Sequence, residues 1–447
     1  MGCHRLNRND RGNTLFLKDI YHWIDFGTLS GRKALTDIVG NLINQKEANT
    51  FKGGCVMYNF MYFTPTKVFF GNDAESKVGE VLKEYGYKKI LIHYGGGSIK
   101  KTGLFDRIAK SLYDAGLAYA ELGGVEPNPK IGLIREGIKF CKQEEVDFIL
   151  AVGGGSVIDS AKSISMGLAN NMDPWDMIST QTMPTKQFPI GVVLTLAAAG
   201  SEMSNSHVVS NPEVHLKRSL DHDLLRPIVT FMNPELTYTV NKFQTGCGIV
   251  DTMMHTFERY FTIDEDNDLI DRISEGIIVS VKNAGLVAIK EPDNYEARAT
   301  LMWASSLSHN GLTGCGKKTY FPAHMIEHDI SGVFDHVAHG AGLSVIFPAW
   351  ATYIYKHDIR KFSQFAARIW GVEMDYDHPE KTALAGIETM KNYFKQIGMP
   401  TTMKELGIEP KDYEKIADKS TNKGEKTVES YIQLTKEDII AIYNLAR

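Results

Sequence analysis

The sequence predicts an α/β region built on a parallel sheet, followed by an all-helical region. Between about residues 74 and 196, short apolar runs of strand character alternate with amphipathic helical patterns of 10–15 residues. This alternation is typical of parallel strands covered by helices. After about Leu236 the pattern changes to long helical periods, such as LIDRISEGIIVSVKNAGLVAI and YEARATLMWASSLSHNGL, with few strand candidates. We therefore expect an α/β domain over residues 57–236 and a helical domain over residues 237–447.

The elements of the first region follow from their periodicity and the turns between them. The predicted helices are AESKVGEVLKEYG, FDRIAKSLYDAG, KIGLIREGIKFCKQEEV and SVIDSAKSISMGLAN. The predicted strands are KKILIHYGG, AYAELGG, DFILAVGGG and FPIGVVLTL. Upstream, MYNFMYFTPTKVFFG alternates aromatic and β-branched residues around one proline, in the manner of edge strands. Residues 1–56 carry no recognisable chemistry, and we expect a leader or non-native extension there, with a small regulatory arm as the alternative.

Composition limits the possible partners. The chain has 447 residues, of which 43% are hydrophobic and 23% charged, as in ordinary globular proteins. A net charge of -5 gives no basic footprint for nucleic acid, so small molecules are the expected ligands. Five cysteines without a C-x2-C pair favour reduced thiols and a cytoplasmic setting. No apolar run is long enough for a membrane span, and no secretory signal is recognisable.

Two clusters of carboxylate and imidazole groups predict a metal site. Asp251 and His255 are four residues apart, as are His324 and His328, and His339 follows in a glycine-rich turn. Residues i and i+4 share a helix face, so each pair can grip one ion. Alone, each pair would more often be a solvated pair or a core histidine. Together they predict a site for Fe2+ or Zn2+, because both ions accept imidazole nitrogen and a carboxylate.

Glycine-rich turns after three strands predict a phosphate-binding edge. AVGGGSVIDSAK joins an apolar strand to a helix, so Gly153, Gly154, Gly155 and Ser156 form a candidate pyrophosphate cradle, although such turns also serve as plain tight turns. The earlier turn, YGGGSIKKTG, offers no acid before Asp106 to bind a ribose 2′-hydroxyl, which favours NADP(H) over NAD(H). A third segment, LTLAAAGSEMSNSH, offers small residues for a nicotinamide ring or, equally, a strand-to-helix loop.

With these motifs in order, the chain resembles the iron-containing (group III) alcohol dehydrogenase family, in its branch of NADPH-dependent butanol dehydrogenases and aldehyde reductases. The resemblance runs from Met57 to Arg447. It is carried by FTPTKVFFG, YGGGSIKKTG, GGVEPNP, AVGGGSVIDSAK, DPWD, GSEMSNS, VDTMMHTFE, HMIEHDISG, HGAGLSVIFPAW and IYNLAR.

The resemblance implies a Rossmann-like dinucleotide-binding domain, an all-helical metal domain of the dehydroquinate synthase-like fold, and a homodimer. The implied metal ligands are Asp251, His255, His324 and His339. The implied cofactor residues are Gly95, Gly96, Ser98 and Lys101 near the adenosine phosphate, Gly153, Gly154, Gly155, Ser156 and Asp159 around the pyrophosphate, Thr195 and Leu196 near the nicotinamide, and Lys217. The loop from His324 to His339 is one residue longer than the family's usual loop, and the register of GAGLSVIFPAW favours His339 over His336 as the last ligand.

These residues predict reduction of an aldehyde, or oxidation of a primary alcohol such as butanol, by hydride transfer to or from NADP(H) beside a Lewis-acid metal. His328, four residues after His324, is the candidate proton relay. Two alternatives are a metal- and NAD-dependent lyase of the dehydroquinate synthase kind and a non-catalytic binding protein on the same fold. The lyase should carry more basic residues for a phosphorylated substrate, and the binding protein should have lost ligands.

Overall fold

The computed structural model describes residues 57–214, 216–263 and 267–447, so our expectations for residues 1–56 lie outside the described residues. Residues Val56–Arg447 form one compact unit. Within it, strands end at residue 232 and long helices begin at residue 242, which confirms the predicted α/β-then-helical architecture. The domain boundary at residues 236 and 237 stays a prediction, because the contacts do not divide this unit.

A parallel six-stranded sheet forms the first half, in the order β1-β8-β5-β4-β2-β3. Its strands are β1 (Lys67–Phe70), β2 (Lys89–Tyr94), β3 (Ala118–Leu122), β4 (Phe148–Gly153), β5 (Ile190–Leu194) and β8 (Val229–Met232). From β2 the chain moves outward to β3 and then crosses back to β4 on the other side of β2. The strand order therefore reverses between β2 and β4, and doubly wound sheets bind ligands at the carboxyl ends of such a pair.

Helices cover both faces of this sheet. They are α1 (Val78–Glu84), α2 (Ser98–Lys101), α3 (Leu104–Asp114), α4 (Ile131–Gln143), α5 (Gly155–Asn170) and α6 (Pro174–Thr180). Every residue of β4 and β5 is buried, as expected for strands of a parallel sheet with both faces covered. One core layer packs Ile134 and Ile158 beneath the sheet, and the other packs Leu82 and Ile108 on its opposite face.

Three strands and part of the amino-terminal segment differ from the sequence prediction. A separate antiparallel hairpin, β6 (Ser206–Asn211) and β7 (Leu216–Asp221), and the parallel strand β8 were not predicted. The hairpin is rich in polar residues, and β8 contributes only four residues, so neither produced a clear period. In MYNFMYFTPTKVFFG only Lys67–Phe70 is a strand, at the edge of the sheet, while residues 57–66 have no regular secondary structure.

The described residues of the second half form helices and connecting loops with no strand, apart from one isolated bridge between Val428 and Leu434. Its helices are α7 (Lys242–Tyr260), α8 (Asp268–Lys290), α9 (Tyr295–His309), α10 (Pro322–Val333), α11 (His339–Ile354), α12 (Ile359–Trp370), α13 (Pro379–Gln396), α14 (Tyr413–Ser420) and α15 (Lys436–Leu445). Stacked aromatic rings, such as Phe257 on Phe347, join α7 to α11 in its core. No described helix has the length and apolar character needed to cross a bilayer.

Candidate active site

Side chains from three helices of the second half converge on one carboxylate oxygen. Helix α7 begins at an Asn241 cap and carries Asp251 and His255 on one face, while His324 lies in the first turn of α10 and His339 opens α11. Asp251 Oδ1 is 3.4 Å from Nε2 of His255 and 3.8 Å from Nε2 of both His324 and His339. Asp251, His255 and His324 therefore form a group whose possible ligand atoms lie within 4.8 Å of one another, and His339, which groups with Glu327 and His328, approaches the same carboxylate oxygen.

The chemistry of this cluster fits a divalent metal ion. Asp251 Oδ1 and His324 Nε2 are buried and have no hydrogen-bond partner within the protein. A buried carboxylate oxygen without a partner is costly, and so is a buried imidazole nitrogen. A cation bound between them would satisfy both atoms at once, and one carboxylate with three imidazoles is a donor set that suits Fe2+ or Zn2+.

The other ring nitrogen of each histidine has a partner of its own. His324 Nδ1 is hydrogen-bonded to Glu258, and His339 Nδ1 to Glu327, while His255 Nδ1 lies 2.7 Å from Nδ1 of His309. The carboxylates fix the ring orientation of His324 and His339 and place the proton on Nδ1, which leaves Nε2 free to bind a metal. Between His255 and His309 one Nδ1 donates and the other accepts, and this contact fixes the orientation of the His255 ring. Glu258, Glu327 and His309 were not predicted from the sequence as site residues.

The surroundings shift the pKa values of two histidines of the cluster in opposite directions. Burial alone would lower the pKa of His324, but the carboxylates of Glu258 and Asp251 outweigh burial and raise the pKa to about 9. At His255, burial and the neighbouring His309 and His324 rings hold the pKa well below its ordinary value. The two carboxylates therefore favour a positive charge at His324, whereas burial and the neighbouring rings keep His255 in the neutral form that can bind a metal.

His328 and Lys217 lie beside the cluster, whereas His336 does not. The His328 ring centroid is 5.2 Å from that of His339, and burial, followed by the nearby Lys217, holds the pKa of His328 well below its ordinary value. Lys217, on β7, places Nζ 3.2 Å from Ser331 Oγ on α10. His336 is exposed and its Nε2 lies 3.1 Å from the carbonyl of Leu406.

The two glycine turns lie side by side at the sheet's reversal point. Gly97 has φ 97°, a conformation that favours glycine, and it caps the short helix α2 after β2. After β4, a Cβ on Gly153 would come within 2.5 Å of Val157 Cγ2, and one on Gly154 within 3.0 Å of Leu196. Helix α5 begins immediately afterwards, at Gly155, so the N–H groups at its amino-terminal end face the carboxyl edge of the sheet. Gly95, Gly96, Ser98 and Lys101 lie in the first turn and α2, as predicted from their positions after β2.

Asp159 faces the protein interior rather than the turn. Its two carboxylate oxygens accept hydrogen bonds from Ser201 Oγ at 2.7 Å and Val208 N at 3.1 Å. One turn later, the fully buried Lys162 Nζ donates to Ser201 Oγ and to the carbonyls of Ser204 and Ser206. Both side chains therefore position the segment after β5, and the predicted role of Asp159 near a pyrophosphate stays a prediction.

The segment after β5 connects the glycine turns to the metal-site helix. The N–H of Thr195 donates to the carbonyl of Gly153 at 3.1 Å, and Leu196 packs on Gly154. Thr252, next to Asp251 on α7, donates to the carbonyl of Ala198 at 2.9 Å. A Cβ on Gly248 would lie 2.1 Å from the carbonyl oxygen of Ala197, so glycine is needed for this close approach. The predicted nicotinamide residues thus lie between the phosphate-binding edge and the metal cluster.

Comparisons with known proteins agree with this arrangement. The model of iron-containing alcohol dehydrogenases matches residues 65–234, and the model of the C-terminal part of Fe-containing alcohol dehydrogenases matches residues 245–447. The chain is 40% identical to NADH-dependent butanol dehydrogenase A of Clostridium acetobutylicum, over 87% of this chain and 99% of that protein. It is 34% identical to the NADPH-dependent aldehyde reductase YqhD of Escherichia coli, over 88% and 100%.

Among solved structures, NADH-dependent butanol dehydrogenase A from Thermotoga maritima superposes with a TM-score of 0.84 at 37% identity, covering 87% of this chain and 99% of that one. The two family models together span nearly all the described residues, and both halves of the site lie inside them. The chain therefore belongs to the iron-containing alcohol dehydrogenase family.

Proposed function

We propose that this protein is an NADP(H)-dependent, iron-type alcohol dehydrogenase that interconverts a primary alcohol and its aldehyde, with butanol and butanal as the model pair. The observation that carries the proposal is the contact between the two halves of the site. The segment that follows β5 touches Gly153 on one side and the Asp251 helix on the other. A nicotinamide held by that segment would face the metal ligands.

A divalent ion bound by Asp251, His255, His324 and His339 would act as a Lewis acid on the substrate oxygen, while the nicotinamide would supply or accept the hydride. We propose Fe2+ as that ion, with Zn2+ as the alternative. The protein holds the three rings through Glu258, Glu327 and His309, so the ligand geometry is set before substrate arrives.

His328 is our proposed proton relay. Its ring lies beside two proposed ligand rings, with centroids 6.3 Å from His324 and 5.2 Å from His339. Its lowered pKa keeps the imidazole neutral at physiological pH, and a neutral imidazole has one nitrogen to accept a proton and one to donate. Lys217 Nζ donates a hydrogen bond to Ser331 Oγ and lies 3.9 Å from Glu327 Oε2. We propose that Lys217 binds polar groups of the cofactor beside this cluster.

The preference for NADPH rests on the first glycine turn, which offers Gly95, Gly96 and Ser98 with no acid of its own. Relatives carry both cofactor names: NADH-dependent for butanol dehydrogenase A and NADPH-dependent for YqhD. We expect a higher kcat/KM with NADPH than with NADH, and a clear preference for NADH would contradict this part of the proposal.

We further propose a cytoplasmic homodimer. Exposed large apolar side chains occur throughout residues 57–63, and Phe70 of the edge strand β1 forms a further exposed edge-to-face pair with Trp303 of α9. Contiguous exposed apolar surface commonly marks an interface, and a twofold contact of one segment with itself closes a dimer. Cys141, Cys247 and Cys315 carry free thiols, in keeping with a reducing compartment.

The experiment is a screen of aldehydes and primary alcohols on protein reconstituted with Fe2+ or Zn2+, using NADPH and NADH in parallel. We expect aldehyde-dependent loss of the reduced nicotinamide's absorbance. A dehydroquinate synthase-like lyase would regenerate its cofactor and give no net loss, and a binding protein would give no turnover. Either result would contradict the proposed function.

A further inference from the structure

An ion pair adjoins the first glycine turn on the side away from β4. Strand β3 lies next to β2, and Glu121 is its penultimate residue, at the carboxyl end of the sheet. Lys100 lies in α2, directly after the turn that Gly97 closes. Lys100 Nζ and Glu121 Oε2 are 2.8 Å apart, and each side chain is a little under half exposed, at 46% and 45%.

Neighbouring rings hold both charged groups in place. The hydroxyl of Tyr94, the last residue of β2, donates to Glu121 Oε2 at 3.2 Å. Lys100 Nζ lies 5.3 Å from the centroid of the Tyr94 ring and 4.8 Å from that of Phe105. The hydrogen bond to Glu121 raises the pKa of Lys100, and the hydrogen bond from Lys100 lowers the pKa of Glu121, so both groups are charged at neutral pH.

In dinucleotide sites, an acidic side chain near the adenosine ribose binds its 2′-hydroxyl, whereas a cationic side chain accommodates a 2′-phosphate. Glu121 is an acid that strand pairing brings next to the first glycine turn, where the local sequence alone does not show it. Lys100, in the helix after that turn, is a cationic side chain at the same place. Here each is the other's partner.

We propose that the Lys100–Glu121 pair determines selectivity between NADPH and NADH. Lys100 binds the 2′-phosphate of NADPH, and Glu121 opposes it by holding Lys100 and by repelling the phosphate, while it accepts a hydrogen bond from the 2′-hydroxyl of NADH. An exposed ion pair contributes little free energy, so a doubly charged phosphate can replace Glu121 as the partner of Lys100. This inference rests on the proposed function only in that a nicotinamide dinucleotide binds at the β2–β4 edge.

The test compares the binding of NADPH and NADH to metal-reconstituted protein without substrate, by fluorescence titration, in Lys100→Met and Glu121→Gln. Glu121→Gln should raise the ratio of NADPH to NADH affinity about three- to tenfold, and Lys100→Met should lower it by a similar factor, as expected for one partly exposed charged hydrogen bond. The matched control is Glu144→Gln, which breaks the 2.9 Å pair with Lys89 at the opposite end of β2 and should leave the ratio unchanged.

The opposite direction of the two shifts identifies the pair, since general loss of stability would weaken both cofactors together. Ratios within about twofold of wild type in both variants, or shifts in the same direction, would overturn the proposal. The same titrations separate it from the proposed function: wild-type protein that binds both cofactors but reduces no aldehyde contradicts the enzyme activity alone, because the binding ratios still report on the pair.

Discussion

Replacing Glu258 by glutamine should weaken metal binding although residue 258 touches no metal. Glu258 lies on α7, seven residues after Asp251, and its two oxygens accept hydrogen bonds from the N–H of Ala323 at 2.6 Å and from His324 Nδ1. His324 Nε2 faces Asp251 Oδ1, so a metal there requires the proton of His324 to sit on Nδ1. The carboxylate of Glu258 accepts that proton's hydrogen bond and so stabilises the tautomer that can bind metal.

The glutamine side chain has one oxygen where the carboxylate has two. If that oxygen keeps the bond from Ala323, the amide N–H2 faces His324 Nδ1 and favours the tautomer whose Nε2 is protonated, which cannot bind the metal. If the oxygen instead faces His324, the buried N–H of Ala323 confronts a second donor. Loss of such a partner reduces metal affinity about 10- to 100-fold, or about 1.4–2.7 kcal/mol.

The assay is a competition titration of Zn2+ and Co2+ against a chromogenic chelator, with folding checked by circular dichroism. Glu275→Gln is the matched control, because Glu275 is also a buried carboxylate of the helical half but bonds to Tyr260 and Arg368 rather than to a ligand. We expect its metal dissociation constant to equal that of wild type. A folded Glu258→Gln variant with wild-type affinity would refute the tautomer argument.

Three further predictions concern the relay, the loop contact and pH. His328→Ala should lower kcat at least about 100-fold with metal content unchanged, and an unaltered kcat and pH–rate profile would exclude the relay. Gly248→Ala should lower the free energy of unfolding by about 1–3 kcal/mol and raise KM for the cofactor, because the new Cβ would clash with the carbonyl of Ala197. The control Gly276→Ala, in open space on α8, should raise the free energy of unfolding by up to about 1 kcal/mol. Equal effects of the two substitutions would contradict the packing argument. Burial lowers the pKa of His93 to about 4 from 6.5, so between those values the unfolded chain binds the proton more tightly and the free energy of unfolding falls as pH drops, by up to about 3 kcal/mol for this group. Denaturant titrations of His93→Gln should lack that part of the pH dependence, and an unchanged pH dependence would show that folding does not lower the pKa of His93.

Much of the fold could be predicted because the relevant patterns are local. The apolar run FILAVG predicts a central parallel strand, and the four-residue spacing of Asp251 and His255 predicts a shared helix face. The hairpin β6–β7 was missed because its polar residues pack on α5 and the helical half through tertiary contacts rather than through a local period.

The residues that hydrogen-bond to the ligand histidines also divide into those with a local sequence signal and those that only tertiary packing brings close. Glu258 and Glu327 each lie three residues after a predicted ligand histidine on the same helix, so helical spacing could have placed them near the site. The rings that they bond, His324 and His339, lie on other helices, and that pairing depends on packing. His309 ends a different helix, and Glu121 approaches Lys100 from a neighbouring strand. Their proximity depends on how elements pack, which one sequence does not reveal.

The most direct test of the proposed metal site is metal analysis and aldehyde reduction by wild type and Asp251→Ala side by side, each purified without metal and then reconstituted with Fe2+. We predict about one ion per wild-type chain and NADPH-dependent reduction of butanal, both lost on removal of the carboxylate on which the three histidines converge. A folded Asp251→Ala protein that kept wild-type metal content and turnover would contradict it.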